Sequence, residues 1–150
     1  MTERLYFEDF AVGQIFRAGP RHVTAEEIKR FAAEFDPQPF HLDEMAAGAT
    51  VFGGLAASGW HTAAMTMRML VDGALPIAGG IIGSAIDELR WLRPVRPGDI
   101  LTVEAEIIEV RESSRPTQGR IRTRSTTRAA DGEAVQSFIA NLLVPRRPPA

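Results

Sequence analysis

A change of period limits what this chain can fold into. From residue 58 to 75 the apolar residues fall at helical spacing, with Trp60, Ala63 or Ala64, Met67, Leu70 or Val71 and Ala74 forming one stripe. Arg68 and Asp72 are the main breaks in its apolar character, which predicts a central, buried helix. From Gly79 onward the pattern changes, and the segments 81–93, 99–110, 119–128 and 133–144 read as four long strands. Asp131-Gly132 is hairpin chemistry between the last two. Turn residues from Pro94 to Asp99 separate the first two, and a polar turn over 113–118 separates the second and third. An earlier strand over 14–23, interrupted by Gly19-Pro20, completes the sheet. A long helix beside consecutive antiparallel strands is an α+β arrangement in one domain, 1–150.

Upstream, residues 1–13 carry Leu5, Tyr6, Phe7 and Phe10 and read as an arm packed on the domain. Thr24 followed by Glu27 is a capping-box signature. The helix it opens runs to about Phe35 on an apolar stripe of Ile28, Phe31, Ala32 and Phe35. That helix feeds the segment Phe35-Asp36-Pro37-Gln38-Pro39-Phe40-His41-Leu42-Asp43. Each proline fixes its own φ and pushes its predecessor towards extended backbone, so the segment is expected to be a stiff loop rather than a helix. A stiff loop presenting a carboxylate, Asp36, and an imidazole, His41, suits proton-transfer chemistry. Asp43 reads as a local cap or an orienter of His41. A short helical turn over Met45-Ala46-Ala47 stops at Gly48. The small-residue run Gly53-Gly54-Leu55-Ala56-Ala57-Ser58-Gly59 then allows close backbone approach, with Ser58 as N-cap of the long helix.

The pattern Asp36-Pro37-Gln38-Pro39-Phe40-His41-Leu42-Asp43 resembles the hydratase motif of the MaoC-like dehydratases, which include the (R)-specific enoyl-CoA hydratases. The resemblance extends over most of the chain, including the Arg93–Asp99 turn. It implies a hot-dog fold, a curved antiparallel sheet wrapped around one helix. It implies Asp36 and His41 as the catalytic pair, and Gly59 as the residue whose N–H meets a thioester carbonyl, with Ser58 and Trp60 beside it. It implies an acyl-CoA thioester substrate, (R) stereochemistry at C3 and a homodimer or higher homo-oligomer with sites between subunits. Gln38 stands where asparagine is commoner. Ser58 stands where many relatives carry histidine, and Met67 where some hydratases carry a small polar residue, with Thr66 next to it.

Composition sets the outer bounds. The hydrophobic fraction is 45% and the charged fraction 24%, values of a globular chain. A net charge of −2 without a long basic run argues against a nucleic-acid groove or an anionic membrane surface. Cysteine is absent, which removes disulfides, thiolate nucleophiles and cysteine metal sites. With no apolar leader and no run of spanning length, the expected setting is soluble and cytoplasmic. No metal and no redox cofactor are expected, because hydration moves no electrons off the substrate; coenzyme A enters only as part of the substrate. His61 is expected to be a packing histidine, and Trp60 a core residue. Arg120, Arg122, Arg124 and Arg128 are expected to be a solvated strand face paired with Glu104 and Glu106. The tail 145–150 is expected to fray. Two other readings stay open on the same fold: an acyl-CoA thioesterase, and a non-catalytic acyl-thioester-binding protein.

Overall fold

The computed structural model describes residues 3–150, so residues 1 and 2 of the expected arm lie outside the described residues. Five strands form one antiparallel sheet: β1 (Ile15–His22), β2 (Ile82–Trp91), β3 (Ile100–Glu112), β4 (Gln118–Arg128) and β5 (Ala134–Pro145), in the order β1-β3-β4-β5-β2. Inward residues of β3, namely Leu101, Val103, Ala105 and Ile107, are fully buried, as period-2 patterning requires. Among the described residues four α-helices precede β2: α1 (Ala25–Phe35), α2 (Pro39–Leu42), α3 (Glu44–Gly48) and α4 (Gly59–Met69). A π-helical turn, Leu70–Ala74, extends α4 and packs on β1 and β3. The result is the hot-dog arrangement, a sheet curved around one long helix.

Local chemistry explains most boundaries. Thr24 Oγ1 accepts the Glu27 N–H at 3.2 Å and caps α1, whose Ile28 and Ala32 are fully buried. The bulge between Ala18 and Arg21 in β1 falls at Gly19-Pro20. Phe7 and Phe10 bury their rings, and Leu5 bonds backbone-to-backbone with Pro76 and Ala78 at 2.8 and 2.9 Å. On the outer face, Arg124 meets Glu106 at 3.3 Å and Arg128 meets Glu104 at 2.8 Å, the cross-strand pairing expected of a solvated face.

Four expectations need correction. The segment after Asp36 is not all loop. Pro39 stands at the first position of α2, where a missing N–H costs nothing and the fixed φ favours helix, so the second proline starts a turn. The strand after α4 does not pair with the next one. β2 crosses to the far edge and joins β5, and the Pro94–Asp99 turn is part of that crossover. The tail is clasped as far as Arg147: Arg146 pairs with Glu112, and Arg147 reaches Asp9 at 2.6 Å. The fourth correction concerns α4. Its core-facing side is His61, Thr62, Met65, Thr66 and Met69, whereas Trp60, Ala64, Met67 and Val71 face outward. Trp60 is therefore not a core residue. An all-round apolar helix offers two candidate faces, and the sheet takes the one carrying the threonines.

Candidate active site

Asp36 closes the C-terminal end of α1, its own N–H bonded to the Ala32 carbonyl at 2.8 Å. His41 sits in α2, buried, and its Nδ1 lies 2.6 Å from the Ala56 carbonyl oxygen. A carbonyl only accepts, so Nδ1 carries the proton. In the neutral ring, Nε2 is then the basic nitrogen, and it stands 3.3 Å from Asp36 Oδ2. The expected pair has therefore been brought together. Burial raises the Asp36 pKa, but hydrogen bonds from Ser58 and Gln38 and the adjacent His41 outweigh it and hold the carboxyl below its ordinary 3.8.

Ser58 connects the pair to α4. Its hydroxyl donates to Asp36 Oδ2 at 2.7 Å and accepts the Trp60 N–H at 3.2 Å as N-cap. The serine is fully buried by these duties, so the structure places it behind Asp36 rather than in the cavity. Asp43 caps α3 by accepting the Met45 N–H at 3.0 Å; the Ala56 carbonyl, not Asp43, orients His41.

A cavity of about 350 Å³ opens here, lined in part by His41, Phe52, Gly59, Thr62, Trp91 and Val95. A larger one, about 550 Å³, is lined by Arg17, Arg21, Arg68 and Asp72 and contains neither His41 nor Gly59. We assign the chemistry to the smaller cavity because His41 and Gly59 line it, and Asp36, though not in its wall, stands 3.3 Å from His41 Nε2. Gly59 is the first residue of α4, where an α-helix makes no internal bond to the N–H and its dipole is positive. The glycine is demanded by a neighbour. A Cβ there would overlap the Trp91 indole, closer to its Cε2, Cδ2 and Cζ2 than van der Waals contact allows. Gly59→Ala is accordingly expected to cost about 1–3 kcal/mol of stability through overpacking, measured by urea unfolding, and to displace Trp91 from the cavity wall. Trp60 lies outside the cavity and touches it through Trp91, ring centroids 5.1 Å apart and edge-on.

Two positioning residues escaped the sequence reading. Arg96, in the crossover, donates to the carbonyls of Phe52 and Gly54, the latter at 2.9 Å, and so clamps the glycine-rich run. On its other side that run is tied to the Phe40 carbonyl through the Ala56 N–H at 3.1 Å. Gln136 accepts the Trp91 indole N–H at 2.9 Å. The turn composition at 93–99 hinted at Arg96; Gln136 left no local signal.

The family profile described as "MaoC like domain" matches residues 9–129. This chain belongs to the MaoC-like dehydratase family. Among MaoC-like structures, the dehydratase from Rhodospirillum rubrum is 52% identical with a TM-score of 0.93, covering 97% of this chain and 99% of that one. The R-hydratase PhaJ1 of Pseudomonas aeruginosa superposes with a TM-score of 0.78 at 27% identity, over 98% of this chain and 96% of that one. A 3-hydroxybutyryl-CoA dehydratase of Methylorubrum extorquens is 33% identical over 144 residues, 95% of this chain and 86% of the relative.

His61 stacks on Phe31, centroids 4.8 Å apart and planes 9° from parallel, and does not line the cavity. Its buried Nδ1 has no hydrogen-bond partner among the described residues, and burial lowers its pKa below the ordinary 6.5. The unfolded chain then binds this proton more readily than the folded one. Its contribution to stability is complete above 6.5 and declines as pH falls below that value towards the folded pKa. His61→Phe is expected to flatten this part of the stability–pH curve, read by urea melts at about pH 7.5 and 5.5. Among the described residues, no three His, Asp or Glu side chains are grouped to hold a metal ion, and no helix is long and apolar enough to cross a membrane.

Proposed function

We propose that this protein adds water to an enoyl-CoA, or removes it from a 3-hydroxyacyl-CoA. The observation carrying this reading is the juxtaposition of Asp36 Oδ2 and His41 Nε2, 3.3 Å apart, with His41 and Gly59 lining one cavity. The carboxylate and the neutral ring nitrogen are both acceptors, and a water molecule has two protons to give. Such a water, held by both, is oriented to attack C3 as one of them takes a proton; C2 receives a proton from the same pair. The Gly59 N–H, at the positive end of α4, meets the thioester oxygen as enolate charge develops there. Ser58 keeps Asp36 ionised and aimed. No step requires a redox group. The reactions named for the Methylorubrum and Pseudomonas relatives are of this class.

The working unit is proposed to be a homodimer. Trp60, Met67 and Val71 are 59%, 41% and 49% exposed and share one face of α4 with Ala64. An apolar stripe of this kind on a soluble domain marks an interaction surface. The edge-on contact of Trp60 with Trp91 brings the stripe against the wall of the cavity.

The test is loss of the conjugated enoyl absorbance on adding the protein to trans-2-enoyl-CoAs of graded length, including branched and dicarboxylic ones. Hydration without thiol release supports the reading. Thiol release from saturated acyl-CoAs, with no hydration, would replace it with thioester hydrolysis.

A further inference from the structure

The cavity continues one helical turn along α4 and then stops. Gly59 and Thr62 line it, but Thr66, one turn on, is fully buried in a hydrogen-bonded network. One turn of helix advances about 5.4 Å. The directions of the bonds in that network follow from elementary chemistry. Trp91 Nε1 can only donate, so the atom of Gln136 facing it at 2.9 Å is the carbonyl oxygen. The Gln136 amide nitrogen must then donate to Thr66 Oγ1, at 3.1 Å. Thr66 sends its own proton to the Thr62 carbonyl at 2.9 Å, so Thr127, 2.6 Å away, donates to Thr66. The hydroxyl of Thr66 thus gives one bond and accepts two, its full capacity. Gln136 and Thr127 are themselves fully buried, and they face each other across β4 and β5.

This arrangement anchors an indole. Trp91 packs against Gly59 too closely to admit a Cβ there, its N–H is held by Gln136, and Trp60 braces it edge-on. An acyl chain running deeper between α4 and the sheet would have to displace Trp91 and break a saturated buried network, leaving its polar groups unpaired.

We infer that Trp91, positioned by Gln136, is the acyl-end wall of the cavity and restricts this protein to short acyl groups. The inference rests on the proposed acyl-CoA substrate and adds a length limit to it. Trp91 is the specificity-determining residue, and Gln136 acts through it.

Saturated acyl-CoAs carry no double bond to hydrate, so their binding reads the cavity separately from the reaction. Calorimetric titration of the wild-type protein is expected to show butyryl-CoA binding at least about tenfold more tightly than octanoyl-CoA. Trp91→Ala is expected to abolish or invert that ratio. Trp91→Leu, which keeps apolar bulk on the strand, is a second folded variant expected to move it the same way. Gln136→Leu, which removes the acceptor for the indole, is expected to relax it several-fold while Trp91 remains in the chain. Octanoyl-CoA binding the wild type as tightly as butyryl-CoA, or a ratio unmoved in either folded Trp91 variant, would overturn the inference. So would no binding of either thioester. The expected ratios without enoyl-CoA hydration would leave the wall standing and remove only the hydratase reading.

Discussion

Asp36→Asn is expected to lower the rate of enoyl-CoA hydration about 10²–10⁴-fold while leaving the fold intact. The substitution is nearly isosteric, and its hydrogen bonds can be rebuilt around it. Ser58 is fully buried and has one hydroxyl proton to place, so the amide will turn its oxygen towards Ser58. That puts the amide nitrogen beside Gln38, an exposed side chain that can flip its own amide to match. What disappears is the negative charge beside His41 Nε2; the amide oxygen left in the Oδ2 position still accepts a hydrogen bond but is too weak a base to take a proton. His41→Ala should abolish activity as well, but less cleanly. It also strips the Ala56 carbonyl of its 2.6 Å partner, at a cost of about 1–3 kcal/mol. Circular dichroism and urea unfolding separate the two effects. Normal turnover by a folded Asp36→Asn protein would sink the assignment. The wild-type profile adds a sign. Because the Asp36 pKa lies below 3.8, the carboxylate is present throughout the neutral range. Its contribution to stability is complete above that value and is lost only as pH falls through the lower folded pKa.

The parts of this site that were legible in the sequence are those carried by local chemistry. Thr24 and Glu27 announce α1, and the helix end delivers Asp36 into a proline-stiffened turn that ends at His41. Ser58 announces α4 because an N-cap is a local bond. Pro39 was misread because proline has two local meanings: it breaks a helix interior, and it also opens one. The remaining misses depend on contacts between distant segments. Which face of α4 meets the sheet could not be read from the helix, since Met65 and Met67 are equally apolar and only packing distinguishes them. The pairing of β2 with β5 was hidden behind turn residues that look the same in a hairpin and in a crossover. Gln136 became visible only when the register set it opposite Trp91. Gly59 was legible as a glycine, but its reason was not, because the ring that requires it lies on another strand.

Met67→Asp combined with Val71→Asp is expected to convert the proposed dimer to a folded monomer of 16.4 kDa, read by light scattering at micromolar concentration. Both side chains lie on the outward stripe of α4, so in the isolated chain the exchange sits on the surface and should change stability by no more than about 0.5 kcal/mol. In a two-fold pair the same patch meets itself, and two substitutions per chain bring four carboxylates into one seam. Each buried unpaired charge costs several kcal/mol, enough together to raise the dissociation constant more than about 10³-fold. Of the two opposite edges of the sheet, only β2 adjoins this stripe. β1 is bulged at its Gly-Pro step and carries Arg17 and Arg21, the features of an edge kept from pairing. β2, bulged near Glu88, nevertheless exposes Ile82, Ile86 and Trp91, and Trp91 touches Trp60 of the α4 stripe. The double variant should also lose activity in proportion to its dissociation, because the stripe braces the cavity wall where Trp60 meets Trp91. An unchanged dimer would move the interface off α4. A fully active monomer would show that one chain holds the complete site.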